Sequence, residues 1–321
     1  LDQQVGYKIM EPKVAVCSRS FSQNKILREE LIKQFPNTKF NDAGISLNGD
    51  SLVEFLKGME RAVLALEYLT EEVIQQLPEL KVVGKYGVGL DKLDLHAMSK
   101  SNIKLGWTAG VNSIAVAELT IALALDIVRK VSESQAVVAG GEWTQVKGLQ
   151  LSSLKVGVVG YGHVGSKVSR LFKAFGSDVV AYDIKGLEQE MENDGVTPSS
   201  WNKIVEECDL ITVHVPYHKQ NHHLISDKVM SSMKPGSYIL NTARGGLIDE
   251  FSLLQHLESG HIHAAGLDVF EIEPPKNNAL VRRSDVVVTS HIGGSSKEAI
   301  LAMGRAAIAG LSDFTDPLDY L

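Results

Sequence analysis

One turn constrains this 321-residue chain more than any other stretch: Gly160-Tyr161-Gly162-His163-Val164-Gly165, set between the strand pattern Leu154–Val159 and a helical pattern from His163 to Phe175. Its three glycines have separate uses. The first permits a tight turn, the second lets a pyrophosphate reach the backbone, and the third brings helix and strand together; the helix N-terminus adds N–H donors and positive potential. Asp183 ends the next strand pattern 18 residues after Gly165, where a carboxylate accepts hydrogen bonds from ribose hydroxyls and repels a 2′-phosphate. Gly160, Gly162, Gly165 and Asp183 therefore predict a dinucleotide site that takes NAD in preference to NADP, with Lys185 close enough to soften the preference. Ser166 separates Gly165 from Lys167, which excludes a mononucleotide P-loop.

Alternating patterns surround that turn. From Lys13 to Ile103, β-branched runs at Val14–Cys17, Ala62–Leu66 and Leu80–Val83 alternate with helical segments Asn24–Gln34, Ser51–Lys57 and Glu71–Gln76. A second series places strands at Lys155–Val159, Asp178–Tyr182, Asp209–Val213, Ser237–Leu240, His263–Leu267 and Val286–Thr289. Strand and helix in alternation predict parallel sheets with helical crossovers, an α/β fold. The chain is too long for most single cores, so two domains with a cleft are expected. Ile114–Val131, rich in Ala and Leu, reads as a linking helix capped by Asn112, and Ser295–Leu311 as a last helix capped by Ser295 or Ser296. If that helix returns to the first sheet, one domain comprises residues 1–111 and 295–321, and the nucleotide domain comprises residues 112–294.

Apolar residues make up 44% of the chain and charged residues 22%, an ordinary soluble globular balance. A net charge of −7 without a dense Lys/Arg run argues against a nucleic-acid partner. No apolar stretch approaches the roughly 18 residues of a membrane span. The first residues lack the basic-then-apolar plan of a secretory leader, so a cytoplasmic protein is expected. Cys17 and Cys208, in or beside apolar runs, read as buried free thiols of a reducing compartment.

Three later loops carry the remaining chemistry. Asn241-Thr242-Ala243-Arg244-Gly245-Gly246-Leu247-Ile248-Asp249, Gly266-Leu267-Asp268-Val269-Phe270-Glu271-Ile272-Glu273-Pro274 and Ser290-His291-Ile292-Gly293-Gly294 each follow a strand pattern. The planar fork of Arg244 suits a two-toothed grip on a carboxylate, which a lysine cannot reproduce. His291 supplies a group that passes protons near neutral pH, and a carboxylate such as Glu273 fixes an imidazole's orientation and favours its charged form.

These blocks, with the glycine turn, Tyr86-Gly87-Val88-Gly89-Leu90-Asp91 and Val116-Ala117-Glu118-Leu119, resemble the NAD-dependent D-isomer-specific 2-hydroxyacid dehydrogenases, in the same order from about Leu80 to Ala299. The resemblance implies a Rossmann dinucleotide-binding domain inserted into a flavodoxin-like parallel-sheet substrate domain. It implies an enzyme that interconverts a 2-oxo acid and a D-2-hydroxy acid with NAD. In that scheme Arg244 binds the substrate carboxylate and polarises the 2-oxo group, His291 is the acid/base, and Glu273 hydrogen-bonds His291. Cofactor contacts are implied at His163 and Val164 in the pyrophosphate loop, at Val215 and Pro216 on the adenine side, at Thr242 and Ala243, and at Gly293 and Gly294. Asp268 is implied at the nicotinamide carboxamide. Gly87, Val88 and Gly89 would offer backbone N–H groups to the substrate carboxylate.

Lys85 stands where phosphoglycerate dehydrogenases of the family carry a basic residue, and Arg19 follows the first strand pattern. Binding of a second anionic group, as on 3-phosphoglycerate, and solvated surface cations are equal readings of the two. Family members are usually homodimers joined through the cofactor domain. The chain stops shortly after its last helix, so a C-terminal regulatory domain is not expected.

His214, His218, His222 and His223 crowd one stretch without zinc-ligand spacing, so no metal is expected. Two other classes share the implied fold. An NAD(H)-sensing, corepressor-like binding protein keeps much of the triple, although intact Arg244, Glu273 and His291 favour an enzyme. Formate dehydrogenases carry Gln before the histidine, where Ser290 stands here.

Overall fold

The computed structural model describes residues 11–321; the expectation about an N-terminal leader falls on residues outside that range. The chain divides into two compact units, one formed by the described residues up to Val111 with Lys297–Leu321, the other by Asn112–Ser296.

In the first unit, β1 (Val14–Val16), β2 (Thr38–Phe40), β3 (Arg61–Leu64), β4 (Val82–Lys85) and β5 (Lys104–Gly106) form a parallel sheet in the order β2-β1-β3-β4-β5. That order is flavodoxin-like. Strands covered on both faces read as unbroken apolar runs, as Val14-Ala15-Val16 does. The two strands that the apolar pattern misses, β2 and β5, are the sheet edges, where Thr38, Lys39 and Lys104 keep contact with water. The expected strand Leu80–Val83 is displaced, because the Leu80 N–H turns back to the Leu77 carbonyl and pairing starts at Val82. The last helix, Lys297–Gly310, does return to this sheet: Ala307 and Ile308, with Leu311 just beyond it, pack among Val14, Val16 and Val63.

The second unit holds β6 (Lys155–Val159), β7 (Asp178–Tyr182), β8 (Thr197–Pro198), β9 (Leu210–Val213), β10 (Ser237–Asn241), β11 (Ile262–Leu267) and β12 (Val286–Val288). All pairs are parallel, in the order β12-β11-β10-β9-β6-β7-β8, a Rossmann arrangement. The helix Ser113–Arg129 buries Ala117, Ile121, Leu123 and Ala124 in a cluster with Val156, Val158 and Leu240. A second cluster, which includes Ile204, Val205, Leu253 and Leu257, encloses Ile211 and Ile239. Two expectations need correction here. The linking helix stops at Arg129, because Lys130 adopts a left-handed φ of 57° before a second helix, Val131–Ala139. Asn112 occupies the N-cap, yet its side chain accepts no capping hydrogen bond and its Oδ1 is buried without a protein partner. Among the described residues no helix is long and apolar enough to cross a membrane, and Cys17 and Cys208 are buried free thiols.

Candidate active site

Parallel strands send their following loops to one edge, so the loops after β6, β9, β10, β11 and β12 all leave the C-terminal edge of the second sheet. Strand order reverses between β9 and β6, which is where an open α/β sheet forms a crevice for a ligand.

The glycine turn stands at that reversal. A side chain on Gly165 would lie 1.8 Å from the Gly160 carbonyl oxygen, so only glycine lets the helix Gly165–Ala174 start so close to β6. At Gly162 no atom lies within 4 Å of where a side chain would stand, which leaves the turn open to a pyrophosphate. Asp183, just past β7, accepts the Tyr161 N–H at 2.6 Å and the Lys185 N–H at 2.9 Å. Its carboxylate is thereby fixed beside the turn, as a ribose acceptor requires. These residues fit a dinucleotide. His163 is exposed, Val164 and Val215 are half-buried, and Pro216 is exposed.

One brace of this turn escaped the sequence. Tyr161 is buried, and its hydroxyl donates to Asp194 Oδ2 at 2.7 Å, while Arg170 pairs with Asp194 Oδ1 at 2.9 Å. Burial and the Asp194 contact push the Tyr161 phenol up. Burial would raise the Asp194 carboxyl, but the hydrogen bonds from Arg170 and Tyr161 outweigh it and hold the group below its usual range. A tyrosine inside the turn was the only visible signal.

The loops after β10, β11 and β12 interlock. Asn241 accepts the Ala243 N–H at 3.0 Å and donates to the Arg244 carbonyl at 2.8 Å, which shapes the bend before Arg244. The Arg244 guanidinium donates to the Ala243 carbonyl at 2.7 Å. Thr242 shares a 2.8 Å hydroxyl contact with Thr120 of the helix Ser113–Arg129. Asp268 is 1% exposed, and the loop that carries His291 wraps around it. Its Oδ1 accepts from the Thr289 hydroxyl at 2.6 Å and the Ile292 N–H at 2.7 Å, and its Oδ2 accepts the Gly293 N–H at 2.9 Å. Its carbonyl takes the His291 N–H at 2.8 Å. Asp268 is thus first an anchor of that loop. Gly294, next to the buried Gly293, is partly exposed.

Glu273 uses both oxygens: Oε1 accepts the Phe270 N–H at 3.2 Å, and Oε2 lies 2.8 Å from His291 Nδ1. Both side chains remain about two-fifths exposed, at 39% and 40%, so a substrate can reach them. The pairing expected between Glu273 and His291 is present in the geometry.

In the first unit, Gly87, Val88 and Gly89 follow β4 and are partly exposed, with the Val88 carbonyl accepting the Trp107 indole N–H at 3.1 Å. Lys85 is not a solvated surface cation. It is 4% exposed, its ammonium donates to the Ala65 carbonyl, and Nζ stands 3.7 Å from the position a Gly87 side chain would take. Arg19 is exposed. Among the described residues no group of three or more His, Cys, Asp or Glu could hold a metal ion.

Residues 121–293 match the family profile described as D-isomer specific 2-hydroxyacid dehydrogenase, NAD binding domain. The chain belongs to that family. The D-3-phosphoglycerate dehydrogenase of Methanocaldococcus jannaschii is 36% identical over 282 residues, covering 87% of this chain and 54% of that one. The glyoxylate reductase of Thermococcus litoralis is 31% identical over 317 residues, covering 95% of this chain and 94% of that one. The chain therefore spans about half the length of the phosphoglycerate dehydrogenases it matches and nearly all of the reductase. Among solved structures, D-lactate dehydrogenase from Aquifex aeolicus, complexed with NAD and lactic acid, superposes with a TM-score of 0.83 at 26% identity over 94% of each chain. The second unit carries the family's NAD-binding domain.

Proposed function

We propose that the protein is an NAD-dependent D-2-hydroxyacid dehydrogenase that interconverts a small 2-oxo acid and its D-2-hydroxy acid. The observation that carries this reading is the 2.8 Å contact between His291 Nδ1 and Glu273 Oε2, on the sheet edge that also bears the glycine turn. With Nδ1 held by the carboxylate, Nε2 is the nitrogen that exchanges a proton with substrate. In reduction, the imidazolium Nε2–H gives its proton to the 2-oxo oxygen; in oxidation, neutral Nε2 takes the hydroxyl proton. Arg244 grips the carboxylate through its planar fork and polarises the neighbouring carbonyl. Bound nicotinamide supplies or removes the hydride at C2. Asp268 holds the His291 loop, and Thr242, Ala243, Val215, Pro216, Gly293 and Gly294 line the cofactor. In the first unit, the substrate domain of this reading (residues 1–111 and 295–321), Gly87, Val88 and Gly89 are the carboxylate-binding turn, with the Lys85 charge beneath it.

Relatives named for 3-phosphoglycerate, glyoxylate and hydroxypyruvate supply the substrate candidates. NADH oxidation with a panel of glyoxylate, hydroxypyruvate, its 3-phosphate and pyruvate, with the product's handedness assigned, tests the reading. Turnover of at least one to the D-product is expected; tight NADH binding with no turnover would instead make the chain an NAD(H)-sensing binding protein.

A homodimer joined through the NAD-binding unit belongs to the same reading. The helix Val131–Ala139 has no buried residue, Trp143 is 87% exposed, and Val138 and Leu149 are exposed as well. Light scattering would report twice the chain mass. Two buried free thiols support a reducing, cytoplasmic setting.

A further inference from the structure

His222 and His223, which the triple leaves unused, sit where the loop after β9 meets the stretch following Arg244. The His223 N–H donates to the Gly246 carbonyl at 2.8 Å, the Ile225 N–H to the Leu247 carbonyl at 2.9 Å, and the Asp249 N–H to the Ile225 carbonyl at 3.1 Å. This segment is zippered along the Arg244 loop, and His223 joins it with a left-handed φ of 55°. The His223 ring then reaches a third loop: Nε2 lies 2.8 Å from Glu271 Oε1.

Glu271 belongs to the turn that carries Glu273. That turn and the Arg244 loop touch backbone to backbone, since a side chain on Gly245 would stand 1.9 Å from the Phe270 carbonyl carbon. Glu250 closes the same seam, accepting the Glu271 N–H on Oε1 at 2.5 Å and the Asn278 amide on Oε2 at 2.6 Å. We propose that His223 and Glu271 are positioning residues that clamp the Arg244 loop and the Glu273 turn in one register.

The inference rests on the roles given above to Arg244, Glu273 and His291. The groups around His223 are Glu271, Asp249 with Oδ2 3.9 Å from Nδ1, the His222 ring stacked at 3.7 Å, and Glu250, whose charge also acts on it. Tyr217 follows, its hydroxyl 3.3 Å from His222 Nδ1. A neutral imidazole with its proton on Nε2 already donates to Glu271, so the clamp needs no second proton. Removing it frees the Glu273 turn from one of its outer ties, and a displacement of about an ångström at a reacting group costs up to about a hundredfold in rate.

The test compares Glu271→Ala, Glu271→Gln and His223→Asn, asparagine being tolerant of the left-handed backbone. Each is assayed for kcat and KM of reduction, for NADH binding by fluorescence titration and for thermal stability. Glu271→Ala should lower kcat/KM by tenfold or more, through kcat rather than through binding, on the order expected for a misplaced reacting group. NADH affinity should stay unchanged, and Glu271→Gln, whose amide oxygen still accepts the imidazole N–H, should recover most of the rate. A wild-type rate in Glu271→Ala would overturn the clamp, as would a rate loss matched by equal losses of NADH affinity and stability. His291→Ala separates the two ideas: full turnover there defeats the triple itself, whereas an inactive His291→Ala beside an unaltered Glu271→Ala defeats only the clamp.

Discussion

β9 and β12 end at the same edge of one sheet, and each is followed by a histidine. His214, directly after β9, is half-buried, with Nε2 2.8 Å from the Thr212 hydroxyl and Nδ1 buried without a protein partner. Burial alone pushes it down to about 3. His291, after β12, is two-fifths exposed and has a carboxylate 2.8 Å from Nδ1. The sheet edge therefore does not by itself make an acid–base group. An anionic partner beside the ring does, and His214 has none, which leaves it a neutral fixture against the glycine turn.

The sharpest way to break this contrast is His291→Ala. Loss of a positioned acid–base group should cut turnover by about 10²- to 10⁴-fold while NADH binding, read by fluorescence titration, persists. Turnover close to wild type would move the proton-transfer role elsewhere. Glu273→Gln should act more gently. An amide still occupies the site but orients the imidazole less firmly than a carboxylate, so turnover should fall while NADH binding persists. Wild-type turnover would mean that the 2.8 Å contact has no part in positioning His291.

The third test turns on stability. Because the folded-state value of His214 lies below its ordinary 6.5, the unfolded chain binds a proton that the folded chain refuses. The neutral histidine's contribution is complete above pH 6.5 and falls as pH drops toward 3, at about 1.4 kcal/mol per pH unit. Asp194, Asp209 and Asp249 are held below the usual carboxylate range, so their contributions fail only below about pH 5 and leave the upper part of this window to the histidine. Denaturant unfolding at successive pH values from 6.5 downward should show the slope in the wild type and a flatter one in His214→Asn. Equal slopes would show that His214 protonates freely in the fold.

The contrast also marks what the sequence could disclose. Arg244, Glu273 and His291 were legible because each stands in a short loop after an apolar run, and local order along the chain mirrors order along a parallel edge. The glycine turn was legible for the same reason. What distinguishes His214 from His291 was not, since burial depends on neighbours from other strands. Lys85 could be read equally as a surface cation, and only the fold buries it against the Ala65 carbonyl. Asp268 was expected at the cofactor, and its part as the anchor of the His291 loop was not visible. The pairs His223–Glu271 and Tyr161–Asp194 join residues 48 and 33 positions apart, beyond the reach of any local pattern. Edge strands β2 and β5 failed for a simpler reason: polar residues suit a sheet margin and erase the apolar signal.

The smallest effect is expected at Tyr161, which braces the open end of the edge rather than its chemistry. Its hydroxyl contributes one buried hydrogen bond to Asp194, worth about 1 kcal/mol net. Its N–H also holds Asp183, so a looser turn relaxes the ribose acceptor along with the pyrophosphate cradle. Tyr161→Phe should therefore weaken NADH binding about fivefold, the equivalent of that energy, and narrow the preference for NADH over NADPH. At saturating NADH its kcat should match the wild type, because Arg244, Glu273 and His291 hang from β10, β11 and β12 and make no hydrogen bond to Tyr161. A lowered kcat with unchanged NADH affinity would reverse the division drawn here between the end of the edge that holds the cofactor and the end that moves the proton.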